Sequence, residues 1–289
     1  MGSNFRQVVI PQKCRDLLKI SVEKSYQSLA SSEVGIKVQL DKSLAIRRIR
    51  AIKRILKNKK NIKVLDLGCG AGYLVAFLNK NGIDAYGIEP DKCSFAAAQA
   101  LLKANKIKAS KIKNIAGESF HSKTKFDLIV SFQVIEHTQT PKKVFQQCHQ
   151  HLKKDGQIYF IIPNYHSFWE GHYGVPWLPW LNKKTAKIYV KLLGKDPSFI
   201  DTLQFITPKM IKKILTQKGF KLISLGEEKF KQRMIKANFM AFGRTQRLLP
   251  LLSLIKFFKL NKLITHFCLK TDTFYPIIIY ARRRSGLIN

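Results

Sequence analysis

Residues 64–72, with the sequence VLDLGCGAG, constrain the fold of this chain more than any other stretch. Val64, Leu65 and Leu67 have the apolar character of a buried parallel strand, and Gly68, Gly70 and Gly72 follow at alternate positions. Glycine permits positive φ and lets a ligand approach the main chain without an intervening Cβ atom. A helix predicted to begin near Tyr73 would direct its free N–H groups into the turn. The stretch therefore predicts a strand–turn–helix unit that binds a polar, partly anionic ligand.

Strand and helix patterns alternate along the chain that follows. Short apolar runs predict strands, and longer amphipathic runs predict helices. The predicted strands are 63–67, 84–89, 112–116, 126–132 and 157–162, and the predicted helices are 72–80, 92–104 and 141–152. A further helix is predicted with Thr207 as N-cap and Pro208 as its first residue, followed by strands 220–225 and 274–281. This alternation is typical of a doubly wound α/β fold with a mostly parallel sheet.

The glycine spacing and Asp66 separate this unit from a dinucleotide-binding unit. The glycine spacing is G-x-G-x-G, whereas the dinucleotide fingerprint has its third glycine one residue later. Asp66 precedes the first glycine, and Glu89 ends the second strand, where a carboxylate often accepts hydrogen bonds from a ribose diol. Together they resemble the first two motifs of class I S-adenosylmethionine-dependent methyltransferases. A nicotinamide or flavin cofactor, or a glycine turn that binds nothing, is the weaker alternative.

A second motif accompanies the fourth predicted strand. Residues 126–137 read FDLIVSFQVIEH, and the fifth strand ends in the sequence IPN at residues 162–164. This order is similar to that of ubiquinone- and menaquinone-type small-molecule O-methyltransferases, closely over residues 60–164 and loosely over residues 207–225. The resemblance implies a seven-stranded, mostly parallel sheet with an antiparallel last strand.

The same resemblance implies a division of the chain. Residues 1–60 would form an N-terminal helical cap, and residues 61–289 would form the S-adenosylmethionine-binding methyltransferase domain. Two inserts interrupt this domain: residues 163–206 as an aromatic substrate lid, and residues 226–273 as an apolar and basic helical insert. In this family the N-terminal helices often cover the substrate side. The alternative is that they pack on the sheet and expose a solvated basic face.

Cofactor contacts are implied by the resemblance at positions that match the family's motifs. These residues are Asp66, Gly68, Cys69, Gly70, Gly72, Glu89, Pro90, Asp91, Glu118, Ser119, Gln133 and Val134. Asp66 would hold the methionine amino group, Glu89 the ribose hydroxyls, and Glu118 with Ser119 would read the adenine. Gln133 and Val134 would line the methyl-donor end. Ubiquinone-type members carry a metal-binding glutamate at the position of Gln133. Because a neutral amide weakens a hard-cation site, we expect that no metal is required.

Removal of a proton from a hydroxyl acceptor requires a base near the transferred methyl group. His137 is the first candidate because imidazole titrates near neutral pH, and Glu136 lies beside it in the chain. The alternative is that Glu136 and His137 only fix the turn after the fourth strand, in an enzyme that acts mainly by proximity.

The insert after the fifth strand is dense in aromatic residues and histidine. Residues 164–180 read NYHSFWEGHYGVPWLPW and follow the carboxyl edge of the sheet, where ligands bind in open α/β folds. Aromatic walls with a few polar groups suit a hydrophobic or aromatic acceptor. His166, Glu170, His172 and Tyr173 are candidates to orient or deprotonate that acceptor. A purely structural lid is the alternative.

Positive charge and one apolar segment bear on the partners of the chain. Lys and Arg number 52 against 18 Asp and Glu, a net charge of +34, which attracts nucleic acid or an anionic membrane surface. Lysines spread along the whole chain also fit an ordinary solvated surface. Residues 248–267 are apolar but contain three lysines, which argues against spanning a bilayer. An interfacial helix and a lid over the acceptor pocket remain alternatives for this segment.

The compartment follows from cysteine usage and the N-terminus. The five cysteines are scattered, no pair has C-x-x-C spacing, and the N-terminus has no secretory signal. We interpret the chain as a cytoplasmic methyltransferase, peripheral on the inner face of the membrane. It would O-methylate a lipid-like, quinone-like or glycolipid acceptor. The alternative is an RNA or protein methyltransferase that uses the basic surface.

Overall fold

The computed structural model describes residues 5–26, 32–57, 59–235 and 260–284. Its strands are β1 (Lys63–Leu67), β2 (Asp84–Ile88), β3 (Ile112–Lys113), β4 (Phe126–Phe132), β5 (Leu152–Ile162), β6 (Trp169–Glu170), β7 (Val175–Pro176), β8 (Phe220–Ser224) and β9 (Ile277–Arg283). Seven of them form one sheet in the order β3-β2-β1-β4-β5-β9-β8, and β6 pairs with β7 separately. Strand β9 runs antiparallel to both neighbours, while β1 to β5 pair in parallel. The predicted mostly parallel sheet with an antiparallel last strand is confirmed.

Helices cover both faces of this sheet. They are α1 (Gln12–Tyr26), α2 (Ser32–Gln39), α3 (Lys42–Ile55), α4 (Tyr73–Lys80), α5 (Lys92–Ala104), α6 (Pro141–His151), α7 (Lys183–Leu192), α8 (Pro208–Gln217), α9 (Glu227–Ile235) and α10 (Leu260–Lys270). Residues of α1, α3, α4 and α5 share one apolar cluster with Val64, and residues of α6, α8, α9 and α10 share another with Leu65. Neighbouring strand residues enter different clusters because their side chains point to opposite faces. The predicted doubly wound fold is confirmed.

Three predicted boundaries differ from the structure. Strand β3 has two residues where five were predicted, and β9 begins three residues later than predicted, at Ile277. Strand β5 begins at Leu152, five residues before its predicted start at residue 157. The register explains the early start, because Phe126 pairs with Leu152 whereas Leu128 pairs with Gln157. Asp155 and Gly156, which are residue types typical of turns, therefore lie in a bulge within the strand rather than between a helix and a strand.

The N-terminal helices pack directly on the sheet. Asp41 is the N-cap of α3 and accepts hydrogen bonds from the backbone N–H groups of Ser43 and Leu44. Ile49 and Ile52 of α3 are fully buried in the cluster that contains Val64. The arginine-rich opposite side of α3 remains free to face a ligand site.

The two predicted inserts contain elements of their own. Residues 163–206 hold β6, β7 and α7 around a small apolar cluster that includes the buried Trp177. Within residues 226–273, the structure describes α9 and α10. Of the predicted apolar segment 248–267, residues 248–259 lie outside the described residues, and residues 260–267 belong to α10. In the ranges that are described, no helix has the length and apolar character that crossing a membrane requires.

Candidate active site

The turn between β1 and α4 has the geometry that its glycines predict. Gly68, Gly70 and Gly72 have φ values of 71°, 52° and 70°, in the left-handed region that favours glycine. The N–H groups of Gly68 and Cys69 both donate to the carbonyl oxygen of Ile88, at 2.9 and 3.0 Å. The turn is thus fixed against the end of β2, where Glu89 follows.

Glu89 lies directly on this turn. Its Oε2 accepts a hydrogen bond from the N–H of Gly70 at 2.8 Å, and its Oε1 accepts one from the N–H of Asp91 at 3.0 Å. Burial raises the pKa of Glu89, although these two amides oppose the shift. Asp91 itself caps α5 by accepting from the N–H of Ser94. The structure therefore brings the predicted ribose-binding acid and the glycine turn together.

Asp66 is a buried carboxylate beside the turn. Burial raises the pKa of Asp66 to about 7, Arg48 opposes that shift, and Glu89 adds to it. Arg48 belongs to α3, and its guanidinium lies 4.0 Å from the ring centroid of Phe132 at the end of β4. Arg48 was not predicted from the sequence as a site residue. The basic pattern of α3 indicated a charged face but not which arginine turns toward the cofactor residues.

Gln39, at the end of α2, is a second contact that was not predicted. Its Oε1 accepts a hydrogen bond from the N–H of Ala71, within the glycine turn, at 3.1 Å. The sequence gives no indication of this contact, because a single glutamine near the end of a helix forms no recognisable motif. The N-terminal helices therefore contact the glycine turn through Gln39 and approach Asp66 through Arg48.

The remaining predicted cofactor residues surround the same edge of the sheet. Glu118 and Ser119 lie in a short 3₁₀ turn, and Glu118 Oε1 accepts from the N–H of Thr140 at 3.2 Å. Pro90 is exposed after β2. Gln133 has a φ of 57°, and its N–H donates to the carbonyl oxygen of Ile161 at 2.8 Å. Val134 adjoins Gly68, where a Cβ atom would overlap its side chain.

A cavity of about 870 Å³ opens beside this edge. Its apolar lining includes the aromatic side chains Phe132, Tyr159, Trp169 and Tyr275. The wall also contains Gln133 and His172, together with basic residues of α3 and α9. The cavity is therefore formed by residues of β4, β5 and β9, of the helices α2, α3 and α9, and of the aromatic insert.

Among the histidines that the structure describes, His172 is the one that lines this cavity. Its Nδ1 lies 2.7 Å from Glu170 Oε1, while Glu170 Oε2 accepts from the N–H of Tyr173 at 2.6 Å. Burial opposes protonation of the ring, but the hydrogen bond and charge of Glu170 raise the pKa of His172 above its ordinary value. With Nδ1 bound to Glu170, Nε2 is the nitrogen free to accept a proton.

Glu136 and His137 lie close to His172, with Glu136 on the side of its Nε2. Glu136 Oε1 is 3.9 Å from His172 Nε2 and 4.0 Å from His137 Nε2. Burial raises the pKa of Glu136 to about 7, and His172 opposes that shift. Burial and the nearby His172 lower the pKa of His137 to about 4. His137, the first base predicted from the sequence, is not among the residues that line the cavity.

The other two candidates from the insert lie farther from the cavity. Tyr173 is buried, and its hydroxyl donates to the carbonyl oxygen of Asp196 at 2.9 Å. His166 lies against Trp180, with ring centroids 6.2 Å apart. Neither residue lines the main cavity. Tyr173 contributes through its backbone N–H, which holds Glu170.

Three residues of this cluster could hold a cation. Glu136, His137 and His172 bring one ligand atom each within 4.8 Å of one another. In the described part of the chain, both buried oxygen atoms of Glu136 lack a hydrogen-bond partner. One carboxylate with two imidazoles suits a transition metal ion better than Mg²⁺ or Ca²⁺. Gln133, on which the expectation of no required metal rests, is not part of this cluster, and that expectation stays a prediction.

Known proteins resemble this chain in sequence and in fold. The chain is 32% identical over 108 residues to the ubiquinone biosynthesis O-methyltransferase of Pelagibacter ubique (strain HTCC1062), covering 37% of this chain and 45% of the relative. It is 25% identical over 153 residues to that of Rhodopseudomonas palustris (strain TIE-1), covering 50% and 59%. The chain thus spans about half the length of these curated relatives.

Solved structures and a family model give the wider relationship. A putative sarcosine dimethylglycine methyltransferase from Galdieria sulphuraria superimposes with a TM-score of 0.52 at 15% identity, covering 96% of this chain and 100% of that chain. A methyltransferase from Mesorhizobium loti gives 0.51 at 18% identity, covering 81% and 96%. The family model described as a methyltransferase domain matches residues 40–225. The chain therefore belongs to the family that this methyltransferase domain defines.

Proposed function

We propose that this chain is an S-adenosylmethionine-dependent methyltransferase that methylates an oxygen atom of a hydrophobic, quinone-like acceptor. One observation carries the proposal: the glycine turn and the cavity meet at the end of β4. Val134 adjoins Gly68, while Phe132 and Gln133, directly before it, line the cavity. A cofactor held over the turn would therefore have its methyl group at the cavity.

The cofactor residues have complementary chemistry for the polar ends of that cofactor. When bound, S-adenosylmethionine supplies a methyl group on a positively charged sulfonium. Asp66 would bind the ammonium group, and Arg48, which lies near Asp66, would bind the carboxylate. Each oxygen of Glu89 accepts one backbone N–H and retains a lone pair for a ribose hydroxyl.

His172 would act as the general base. Methyl transfer to a hydroxyl is an in-line displacement that requires alignment and loss of the hydroxyl proton. His172 lines the cavity, and Glu170 holds its Nδ1 at 2.7 Å, so Nε2 would take the proton while Glu170 stabilises the resulting cation. A divalent cation held by Glu136, His137 and His172 would take His172 Nε2 as a ligand, so it would replace the base role of His172 and supply Lewis acidity to an acceptor oxygen instead.

The lining of the cavity supports a hydrophobic or aromatic acceptor. Its aromatic lining can pack against a flat or apolar group through ring faces and edges. The aromatic residues are Phe132, Tyr159, Trp169 and Tyr275. The two relatives named above are ubiquinone biosynthesis O-methyltransferases, which supports a quinone-like member of that class.

A peripheral contact with an anionic membrane surface is part of the proposal. Leu260, Leu263 and Phe267 of α10 are exposed, and so is Phe168 of the insert. The rings of Phe168 and Phe267 lie 6.4 Å apart, so these side chains share one apolar area. Such an area, on a chain with a net charge of +34, suits an interface with anionic lipid.

The remaining alternative is an RNA or protein methyltransferase that uses the basic surface. Liposome flotation and RNA gel shift, each at low and high salt, separate the two proposals. Vesicle binding that resists salt supports the lipid-like acceptor, and RNA binding that falls steeply with salt supports the alternative.

Cofactor and acceptor are tested in two steps. Calorimetry with S-adenosylhomocysteine should show binding, and the absence of heat would contradict the proposal at its first step. Cell extracts incubated with protein and methyl-labelled S-adenosylmethionine should then yield a labelled lipid-soluble product by mass spectrometry. Label confined to RNA or protein would overturn the acceptor class while leaving the cofactor assignment intact.

A further inference from the structure

Two helices place basic side chains on the wall of the same cavity. Arg47, Arg50 and Arg54 come from α3, and Lys229 and Arg233 come from α9. Spacings of three, four and seven residues put side chains on one face of a helix. Each helix therefore presents a basic face to the cavity, although the two helices are far apart in the sequence.

These charges have little compensation from the protein. All 18 acidic residues of the chain lie within the described ranges, and none of them lines the cavity. Arg47 lies near Asp41 and helps to lower the pKa of that carboxyl, after local hydrogen bonds.

Apart from Arg47 and Arg48, four basic residues line the cavity, and we call them the cationic wall: Arg50, Arg54, Lys229 and Arg233. Within the described residues, none of them forms an ion pair. Lys229 donates a hydrogen bond to the hydroxyl of Tyr159 at 3.0 Å. An open cavity bordered by charge of one sign concentrates ligands of the opposite sign.

The cationic wall lies beside two aromatic rings that line the same cavity, those of Phe132 and Tyr159. Arg48 lies over the ring of Phe132 at 4.0 Å, and Lys229 lies over the ring of Tyr159 at 5.1 Å. The two rings are themselves 6.2 Å apart, edge to face. A ligand that fills this space would meet aromatic surface and positive charge together, which selects an amphipathic molecule.

We propose that the methyl acceptor carries a phosphate group, bound by the cationic wall, next to an apolar or aromatic part that packs on Phe132 and Tyr159. This inference rests on the proposed function, because it assigns the acceptor of the same cavity. Guanidinium groups match phosphate oxygens through paired charge-assisted hydrogen bonds. A phosphate dianion uses several cations at once, whereas a carboxylate or a neutral phenol leaves most of this wall without a partner.

The test uses calorimetry on protein saturated with S-adenosylhomocysteine, so that cofactor binding is measured first and separately. Hexyl phosphate, hexanoate and hexanol share a short apolar chain and differ in the head group. We expect hexyl phosphate to bind at least about tenfold more tightly than the other two, because it has a greater negative charge and one more terminal oxygen than hexanoate, and hexanol has no charge. Its affinity should fall as KCl rises.

Variants locate the binding site. Arg50 and Arg54 are exposed, so the double variant R50Q/R54Q keeps the buried face of α3 and should fold. It should weaken hexyl phosphate binding about tenfold while hexanol binding changes less than about twofold. The matched control is R282Q. Arg282 is exposed and does not line the cavity. It lies near one end of β9, whereas the cavity residue Ile278 lies near the other end.

Each contrary outcome has its own meaning. Equal affinity for hexyl phosphate and hexanol, or an equal loss in R282Q, would overturn the phosphate site. Hexanoate that binds as tightly as hexyl phosphate would replace phosphate by carboxylate. A short RNA that displaces hexyl phosphate and binds more tightly would overturn the small amphipathic acceptor. Failure to bind S-adenosylhomocysteine at all would instead contradict the proposed function.

Discussion

The cofactor turn and the acceptor cavity are built in different ways. The turn depends on a short stretch of chain, in which Glu89 accepts the N–H of Gly70 at 2.8 Å and Ile88 accepts that of Gly68 at 2.9 Å. The cavity is lined by side chains that range from Val38 to Ile278 in the sequence. Main-chain groups dominate the first region, and side chains from separate elements dominate the second.

The two regions therefore differ in the substitutions that they tolerate. A turn made of glycines and backbone N–H groups tolerates no displacement of the chain. A cavity made of side chains can alter its charge and shape residue by residue without moving the sheet beneath it. Acceptor specificity can therefore diverge while cofactor binding stays constant, and the predictions below test that separation.

The largest expected effect is at His172, on the acceptor side. His172→Ala should lower kcat by roughly three orders of magnitude, because the cavity loses its base. His137→Ala should lower kcat by less than about tenfold, since His137 does not line the cavity. Initial rates with labelled cofactor and the identified acceptor measure both. The affinity for S-adenosylhomocysteine should stay within about twofold in each variant.

Glu170 supplies the control for this comparison. Glu170→Gln keeps a hydrogen-bonding oxygen near His172 but removes the charge that raises the pKa of His172. The pKa that governs kcat should therefore shift downward, which a purely structural role for Glu170 would not produce. Equal losses in His172→Ala and His137→Ala would return the base role to His137 or leave both residues as structural.

The next effect is at Gly68, on the cofactor side. Gly68→Ala should weaken S-adenosylhomocysteine binding by about a hundredfold, because a Cβ atom would overlap Val134 and displace the turn. Gly82→Ala is the matched control: its φ is 79°, close to the 71° of Gly68, but no atom lies within 4 Å of its added Cβ. Both variants place a Cβ atom at positive φ, so Gly82→Ala controls for the general effect of such strain on the protein. Equal affinities would show that the turn tolerates displacement.

The same contrast explains how far the sequence predicts this molecule. Asp66, Glu89 and the glycines were predictable because their relationship is local, within one strand–turn–helix unit and the next strand. The placement of His172 against Glu136 depends instead on the insert folding back, with the N–H of Gln204 donating to the carbonyl oxygen of Glu136 at 2.6 Å.

The cationic wall lay beyond prediction for a similar reason. The sequence shows that α3 is rich in arginine, and it shows basic residues near residue 230. It does not show that Arg50 and Arg233 line one cavity, because that depends on how α3 and α9 pack on the sheet. Local patterns predict elements, whereas the meeting of distant elements is a property of the whole fold.

A smaller effect concerns pH and Asp66. Because the pKa of Asp66 is about 7 in the folded protein, S-adenosylhomocysteine should bind up to about tenfold more tightly at about pH 8 than at about pH 6, as the carboxylate becomes available to an ammonium group. Asp66→Asn should bind weakly and without this dependence. A flat profile in the unsubstituted protein would remove Asp66 from the ammonium site.

The same group has the opposite effect on stability without ligand. Its pKa in the folded protein exceeds the ordinary value of 3.8, so the free energy of unfolding should decrease as pH rises from about 4 to about 7. Asp66→Asn removes this penalty and should raise the melting temperature at about pH 8. Lower stability in Asp66→Asn at that pH would contradict the stated cause, which is burial of the charge.

The smallest expected effect is that of chelation. Dialysis against EDTA should leave kcat within about twofold, because the base role of His172 needs only Glu170, and Gln133 provides no carboxylate for a hard cation. Glu136, His137 and His172 nevertheless present a donor set that fits a transition metal. A rate lost on chelation and restored by Zn²⁺ or Mn²⁺ would make His172 a ligand. Its Nε2 could not then also take the proton, so the acceptor side would depend on a metal that the cofactor side does not need.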